Sequence, residues 1–225
     1  MGTRGEIFFR WLKRAVSPSL TAVPMRNRVT PSGELIAVPD RGLFWGNRGR
    51  LHDPSGNLAR YSTGRAWLIC VLEFKSRRRS LWAPGRLTEL FFLDEATGLA
   101  AGHRPCGECR RHELAAFKEA WAGCFPGTRP TVATIDSQLN HDRLLRPGVR
   151  RTYRAGARRL PTGTMIEVAG RPWLVNRQRL LAWTPGGYTD RRDCPDREVT
   201  VITPESTVAV LAAGYQPVLH PSAAN

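Results

Sequence analysis

Residues 91–121 read FFLDEATGLAAGHRPCGECRRHELAAFKEAW, and this stretch decides the predicted fold of the region around it. Its flanks have the apolar spacing of two helices, and the residues between them have the chemistry of a sharp turn. Asp94 or Thr88 can cap the first helix by accepting a backbone hydrogen bond. Gly102 supplies the left-handed residue that ends this helix, and Pro105 stiffens the turn that follows.

Cys106 and Cys109 lie in that turn, three positions apart. Thiolates at this spacing can both reach one tetrahedral metal ion, and Zn²⁺ is its usual occupant in proteins. Redox-active pairs have the same spacing, so the motif alone is a weak signal. A redox pair of the thioredoxin type opens a helix after a buried strand, whereas this pair follows a helix and an Arg-Pro turn. The context therefore favours metal binding, with Zn²⁺ as the expected cofactor.

The stretch resembles the zinc-binding module of the Ada-type DNA alkyl-phosphotriester repair proteins, and a related zinc module attached to some nucleases. Those modules carry an aromatic pair, a helix that ends in Ala-Ala-Gly, and then an aromatic residue before Arg-Pro-Cys-x-x-Cys. The matching residues are Phe91, Phe92, Glu95, Ala96, Ala100, Ala101, Gly102, Arg104, Pro105, Cys106 and Cys109, with His103 at the aromatic position. A looser similarity at 46–52 extends the resemblance to residues 46–121. The whole layout also resembles that of a family of bacterial proteins, which implies no activity.

The resemblance implies two further metal ligands on an upstream hairpin, one of which accepts the methyl group in the repair proteins. The nuclease-associated module uses a His and, four positions later, a Cys. His52 fits the first of these positions, but Gly56 stands at the second. The nearest upstream thiol is Cys70, in the strand-like run 66–74, where it also fits the pattern of a small buried apolar residue. The expected zinc ligands are Cys106, Cys109, Cys70 and His52, with His103 and His112 as rivals for the fourth place.

Charge is the strongest compositional signal, because 34 Lys and Arg stand against 19 Asp and Glu, a formal net charge of +15. Phosphate neutralisation dominates nucleic-acid affinity, so a chain this basic is a candidate nucleic-acid binder. The alternative is an evenly solvated basic surface, but arginine clusters such as 77–79 and 110–111 near predicted turns argue against it. The arginines expected to contact nucleic acid are Arg48, Arg104, Arg110, Arg111 and Arg150. The resemblance favours DNA over RNA.

An aromatic loop in the C-terminal part, residues 181–188, places Trp183 and Tyr188 on either side of Pro-Gly-Gly. The glycines let the backbone approach a ligand closely, and the two rings can stack on an unpaired base. Rings that fill a small core at a turn are the alternative. Trp183 and Tyr188 are therefore further candidate contacts to nucleic acid.

A polar segment after the predicted zinc module carries the candidate catalytic residues. Residues 135–145 have the apolar spacing of a helix, with Asp136 and His141 on its polar parts and Arg151 soon after it. An acid, an imidazole and a guanidinium that lie close together can transfer protons or stabilise charge on a phosphate. The alternative is a solvated helix face with salt bridges.

The predicted fold class is α+β. Short apolar runs alternate with turn signals up to residue 87, which is typical of hairpins, and helices are predicted at 88–101 and 107–122. A hairpin at 165–175, strands at 179–183 and 199–202, and a helix at 206–213 are predicted further on. The expected domains are a flexible N-terminal extension at 1–24, an Ada-like zinc domain at 25–122, a helical connector at 123–160 and a small β-rich domain at 161–225. Met25 is an alternative start.

These observations indicate a zinc-stabilised nucleic-acid-binding protein that acts in DNA repair or processing. The alternative is an enzyme on nucleic acid, of nuclease, lyase or glycosylase type, with Asp136, His141 and Arg151 in its active site. A sacrificial alkyl acceptor is a third class. No apolar run has the length of a bilayer span, so a membrane partner is not expected. Five cysteines without a secretion signal favour a reducing cytoplasm.

Overall fold

The computed structural model describes residues 24–76, 80–127 and 129–224, and within these ranges the chain is a mixed α+β structure, as predicted. The α-helices are α1 (Glu95–Ala100), α2 (Arg111–Cys124), α3 (Val132–Arg143) and α4 (Glu205–Ala212). The strands are β1 (Arg28–Val29), β2 (Leu35–Ile36), β3 (Phe44–Asn47), β4 (Leu68–Val71), β5 (Leu90–Phe92), β6 (Arg104–Pro105), β7 (Leu144–Arg146), β8 (Val149–Arg150), β9 (Tyr153–Gly156), β10 (Met165–Val168), β11 (Arg171–Asn176), β12 (Arg179–Thr184), β13 (Gly187–Asp193) and β14 (Glu198–Val201).

The first sheet has the strand order β2-β1-β5-β3-β4-β6. The pairs β1–β5 and β4–β6 are parallel and the other pairs are antiparallel. Its third strand, β5, occupies the first half of the predicted helix 88–101, so that half of the prediction is wrong. Leu90 and Phe92 are fully buried while Phe91 between them is half-buried, which is the two-residue period of a strand.

Helix α1 begins where the sequence predicts a cap, because the Asp94 carboxylate accepts a hydrogen bond of 2.9 Å from the backbone N–H of Thr97. Thr88 has a different role, since its hydroxyl accepts the backbone N–H of Leu51 at 2.7 Å. Gly102 lies in the left-handed region with φ of +89°, as expected for the residue that ends this helix.

One hydrophobic core lies between the first sheet and the helices. It contains sheet residues such as Ile69 and Phe92, and helix residues such as Phe117 of α2 and Leu139 of α3. Leu211 of α4 packs into the same core, although α4 is separated from the others in sequence by the whole second sheet. The closing segment of the chain is therefore part of the first core.

The second sheet has the order β13-β12-β11-β10-β14-β9, and all its pairs are antiparallel. The predicted hairpin at 165–175 is present as β10 and β11. The edge strand β9 of the second sheet comes from the predicted connector 123–160. Strand β13 was not predicted from the sequence. Only the first two residues of β13 are buried, so its outer part lacks the apolar alternation that marks a strand.

Two buried hydrogen bonds join the second sheet to α1. Trp183 donates its Nε1–H to the Thr97 hydroxyl at 3.0 Å, and Tyr188 donates its hydroxyl to the Asp94 carboxylate at 2.7 Å. These aromatic side chains are only 8% and 7% exposed, respectively. The structure therefore corrects the prediction that Trp183 and Tyr188 stack on an unpaired base, because both rings fill the junction between the sheets.

The predicted N-terminal extension, residues 1–24, lies outside the described residues except for Pro24, as does the arginine cluster 77–79. None of the helices in the described ranges combines the length and the apolar content that a membrane span requires.

We expect Tyr188→Phe to lower the free energy of unfolding by about 1–3 kcal/mol, because a hydrogen bond to a buried carboxylate is lost. Urea denaturation of the variant and the unmodified protein measures this difference. Tyr153→Phe is the matched control, since no side-chain hydrogen bond of the Tyr153 hydroxyl occurs in the described part of the chain. Equal destabilisation by the two variants would contradict a special role for the Tyr188–Asp94 contact.

Candidate metal centre

The sulfur atoms of Cys70, Cys106 and Cys109 all lie within 4.8 Å of one another. Sulfurs bound to one tetrahedral zinc ion lie about 3.8 Å apart, given zinc–sulfur bonds of about 2.3 Å. The three thiols are therefore close enough to hold a metal ion with only small adjustments of their side chains.

Strand register explains why Cys70 meets a motif far along the chain. β4 and β6 are parallel, with Leu68 opposite Arg104 and Ile69 opposite Pro105. The next step along both strands places Cys70 beside Cys106, and the backbone N–H of Cys106 donates to the carbonyl of Ile69 at 2.9 Å. The sequence allowed Cys70 to be either a metal ligand or a core residue. The pairing of β4 with β6 brings its thiol to the Cys106–Cys109 turn.

The turn itself holds the other two sulfurs. The backbone N–H of Glu108 donates to the sulfur of Cys106 at 3.4 Å, and the backbone N–H of Arg110 donates to the carbonyl of Cys106 at 3.1 Å. The Cys70 thiol, together with the backbone N–H groups of Cys109 and Glu108, lowers the pKa of Cys106 to about 5 against the effect of burial, because these groups stabilise its thiolate. The neighbouring Cys106 sulfur, followed by burial, raises the pKa of Cys70.

An apolar wall surrounds two of the three sulfurs. Trp45 lies opposite Cys70 in the β3–β4 pair and packs against Cys70 and Cys106, with Leu68 and Phe91 beside them. Cys70 is only 3% exposed. Cys109 is half-buried, so it marks the side on which the group of thiols faces solvent.

His52 is not brought to the three cysteines. Its Nδ1 lies 2.7 Å from the Thr88 hydroxyl, and its ring stacks on Trp82 with centroids 5.4 Å apart. Of the four expected ligands, the structure therefore brings together the three cysteines but not His52. His52 was chosen because it fits a ligand position on an upstream hairpin. In the structure it forms an isolated antiparallel bridge with Leu58, and its side chain contacts Thr88.

The rival histidines also lie elsewhere. His103 is fully buried, and its Nε2 accepts a hydrogen bond of 3.3 Å from Arg48. Burial and the nearby arginines hold the pKa of His103 well below its usual range. His112 lines a groove of about 620 Å³ beside Glu95 and Tyr215. Among the described residues, no His, Asp or Glu joins the three cysteines, which leaves one tetrahedral position for a ligand from outside this group.

Several arginines expected to contact nucleic acid are buried instead. Arg104 forms a two-point salt bridge with Asp136, with both contacts at 2.8 Å. Arg110 forms another with Glu95, at 2.8 and 2.9 Å. Arg48 is buried too, and Arg150 donates to main-chain carbonyls of 100, 101 and 202. The structure therefore corrects the predicted surface contacts of Arg104 and Arg110, which are paired with internal carboxylates. Arg48 and Arg150 do not lie on the open surface, while Arg111 is exposed.

The three candidate catalytic residues do not form one site, because only His141 and Arg151 are in contact. Asp136 is buried against Arg104, whereas His141 is exposed and its Nδ1 lies 3.0 Å from the neighbouring Asp142 carboxylate. Five residues along a helix turn a side chain through about 140°, so Asp136 and His141 point to different sides of α3. Arg151 donates to the main-chain carbonyl of His141. These contacts correct the prediction of a shared active site and fit the alternative of salt bridges on a helix.

An exposed basic surface was missed in the sequence. Arg50, Arg60 and Arg86 line a shared cavity of about 460 Å³ together with Gly49, Thr63, Gly85 and Leu87. All three arginines are exposed, and none forms a salt bridge within the described ranges. Each is a single arginine in its own loop, so a search for clusters along the sequence does not detect them. We call Arg50, Arg60 and Arg86 the basic surface.

In comparisons with known proteins, no protein-family model, curated protein or solved structure matches this chain.

We expect the purified protein to contain about one thiolate-bound metal ion per chain, because the three sulfurs already converge. Cys70→Ser, Cys106→Ser and Cys109→Ser should each reduce the metal content and lower the unfolding temperature. Elemental analysis of the purified variants and thermal unfolding with and without a chelator measure both effects.

Cys124→Ser is the matched control, since Cys124 donates its thiol to the carbonyl of Ala209 and lies outside the group. It should retain the metal. His52→Ala should also retain it, although it removes a contact to Thr88. Loss of the metal from His52→Ala would show that this histidine is a ligand in solution, and unchanged metal content in all three cysteine variants would contradict the site.

Proposed function

We propose that this protein is a zinc-stabilised nucleic-acid-binding protein that acts in DNA repair or processing. The observation that carries the proposal is the convergence of Cys70, Cys106 and Cys109 within 4.8 Å, in a chain with a formal net charge of +15. The resemblance of residues 91–109 to the Ada-type zinc module supports the choice of DNA.

Zinc is the metal that this donor set favours. Soft thiolate ligands select Zn²⁺ over Mg²⁺ or Ca²⁺, which prefer oxygen. A zinc ion held by these cysteines would tie β4 of the first sheet to the turn before α2, and it would supply a structural crosslink there. The apolar wall of Trp45, Leu68 and Phe91 limits the access of water to two of the thiolates.

The basic surface is the part of the protein best suited to a phosphate backbone. Its three arginines have no carboxylate partners in the described chain, and they surround a cavity rather than pointing in separate directions. Leu87, which lines the same cavity, is 45% exposed. Exposed apolar side chains beside guanidinium groups suit the stacked bases and phosphates of nucleic acid.

The enzyme alternative has less support, because its predicted residues are engaged separately. Asp136 is neutralised by Arg104, and His141 lies on the exposed side of α3. The third class, the sacrificial alkyl acceptor, has the least support. The resemblance places the accepting thiol on an upstream hairpin, where this sequence has Gly56, whereas Cys70 lies on β4.

DNA affinity should fall steeply with salt, and the triple variant Arg50→Glu, Arg60→Glu, Arg86→Glu should lower the slope of log K against log salt by about three. This follows if each arginine releases counterions from one phosphate. Fluorescence anisotropy with labelled duplex and single-stranded DNA over a range of salt concentrations measures the slope.

The control triple variant reverses Arg146, Arg191 and Arg197, which are also exposed and form no salt bridge in the described ranges. It changes the net charge by the same amount. Equal loss in both triple variants would mean that only the overall charge attracts DNA. Absent or salt-independent binding would contradict the proposal.

We expect no gain of a methyl group after incubation with methyl-phosphotriester DNA. Cys70 and Cys106 are 3% and 8% exposed, and a thiolate needs access to its substrate to react. Intact-protein and peptide mass spectrometry on the Cys124→Ser variant makes this test without interference from a half-buried thiol outside the group. A methylated Cys70 would establish the alkyl-acceptor function instead.

A further inference from the structure

Three arginine side chains lie close together near the turn that joins β1 to β2, two of them buried (Arg48 and Arg143) and one half-buried (Arg150). We call Arg48, Arg143 and Arg150 the buried arginine cluster. The guanidinium carbons of Arg48 and Arg143 lie 4.3 and 3.8 Å from the ring centroid of one residue, Trp67. In the described part of the chain no carboxylate lies within salt-bridge distance of any of the three. In the described chain none of these charges has a carboxylate of its own, because Asp136, which acts on Arg143, is already paired with Arg104.

Neutral groups satisfy only part of this cluster. Arg143 and Arg150 donate to main-chain carbonyls. Arg48 donates one long hydrogen bond, of 3.3 Å, from its Nε to the Nε2 of His103. Its two Nη groups are buried without a hydrogen-bond partner. The Nε of Arg150 is likewise buried and unpartnered, and the hydroxyl of Tyr61 is buried beside Arg48 and Arg150. An unpaired buried guanidinium is expensive in free energy, so the arrangement calls for an anion.

These donors converge on one place. A Cβ built on Gly33 would lie 3.2 Å from the Tyr61 hydroxyl oxygen, 3.4 Å from Nη2 of Arg48 and 3.7 Å from Cδ of Arg150. Gly33, Tyr61 and Arg150 also line a cavity of about 380 Å³ between the β1–β2 turn and the β7–β8 hairpin. Tyr61 and Arg150 therefore lie at the wall of a space that a small ligand can enter, and Nη2 of Arg48 lies beside Gly33, which lines the same space.

We propose that this cavity binds a phosphate monoester or inorganic phosphate, with its oxygens held by Arg48, Arg150 and Tyr61. The planar fork of a guanidinium matches phosphate oxygens in two-point contacts. A phosphate monoester carries close to two negative charges at neutral pH, so it balances a cluster of three guanidiniums better than a single carboxylate does. Burial, opposed in part by Tyr61, lowers the pKa of Arg48 to about 10, and a bound anion would reverse that shift.

The ligand chemistry allows two sources, a free small phosphate or the terminal phosphate of a nucleic acid. Glu34 and Glu167 line the same cavity and are exposed, so they face the part of a ligand beyond its phosphate. Carboxylates at the rim accept hydrogen bonds from sugar hydroxyls and repel a continuous chain of phosphates. The cavity is therefore distinct from the basic surface, which lies by Gly85 and Thr63.

The first test uses the full-length protein and adds inorganic phosphate, adenosine monophosphate or chloride at equal ionic strength. Phosphate and the nucleotide should raise the unfolding temperature in a saturable manner, because a ligand that binds only the folded state stabilises it. Chloride should not. Isothermal titration calorimetry then gives the dissociation constants.

Tyr61→Phe should weaken phosphate binding about tenfold, because one hydrogen bond to a charged group is lost while the ring remains. Gly33→Ala should weaken it further, since the added Cβ fills the space between Tyr61 and Arg48. Gly170→Ala is the matched control for backbone strain. Its φ of +71° is as left-handed as the +84° of Gly33, but its Cβ would meet nothing within 4 Å. It should bind phosphate as the unmodified protein does.

A pair of oligonucleotides with and without a 5′-phosphate distinguishes the sources. Tighter binding of the phosphorylated strand, lost in Tyr61→Phe, assigns the site to a nucleic-acid end. Binding of free phosphate without that difference assigns it to a small ligand. The proposal is overturned if phosphate stabilises no more than chloride, or if Tyr61→Phe binds phosphate unchanged. DNA affinity through the basic surface is measured separately, so the two proposals fail independently.

Discussion

Two adjacent buried carboxylates, Asp94 and Glu95, organise the rest of the molecule. Asp94 caps α1 and also accepts hydrogen bonds from the Tyr188 hydroxyl and the backbone of His220. Glu95 accepts both Nη groups of Arg110, the hydroxyl of Tyr215 and the backbone N–H of Val218. Burial raises the pKa of Asp94, although the hydrogen bonds that Asp94 accepts from Thr97, Tyr188 and His220 oppose this shift. A buried carboxylate needs such partners. Strand β13, through Tyr188, and the segment 215–220 are therefore both fixed to the start of α1.

Glu95 also supports the candidate metal centre. Arg110 follows Cys109 directly, and its two-point contact with Glu95 holds the end of the Cys-x-x-Cys turn against α1. The sheet holds the other side, through the register of β4 and β6. A salt bridge and a strand pair therefore fix the backbone on either side of the three thiols. Ligands whose backbone is fixed in this way lose little further freedom when a metal ion binds.

Local features were predicted well from the sequence, whereas partners distant in sequence were not. The Asp94 cap, the Gly102 stop, the β10–β11 hairpin and the two motif cysteines each depend on a few neighbouring residues. The strand β5 was mistaken for helix because its apolar residues continue without a break into α1. Most expected phosphate-binding arginines proved to be internal, since each has a partner far along the chain: Asp136 for Arg104, Glu95 for Arg110 and Trp67 for Arg48. A prediction of nucleic-acid binding from the number of basic residues assumes that these residues are exposed. That assumption fails for arginines that are paired with carboxylates or stacked on aromatic rings inside the protein.

The contacts of Glu95 have a consequence for the order in which this protein is made. Cys70, Cys106 and Cys109 are all synthesised before the second sheet begins, so a ribosome-bound chain already has its three thiols. Tyr215 and Val218, which complete the environment of Glu95, are synthesised only after the second sheet. Until they arrive, Arg110 and Glu95 lack part of their enclosure, and the turn beside Cys109 is only partly restrained. The thiol group therefore reaches its final rigidity only after residues 215–218 have folded back onto the first core.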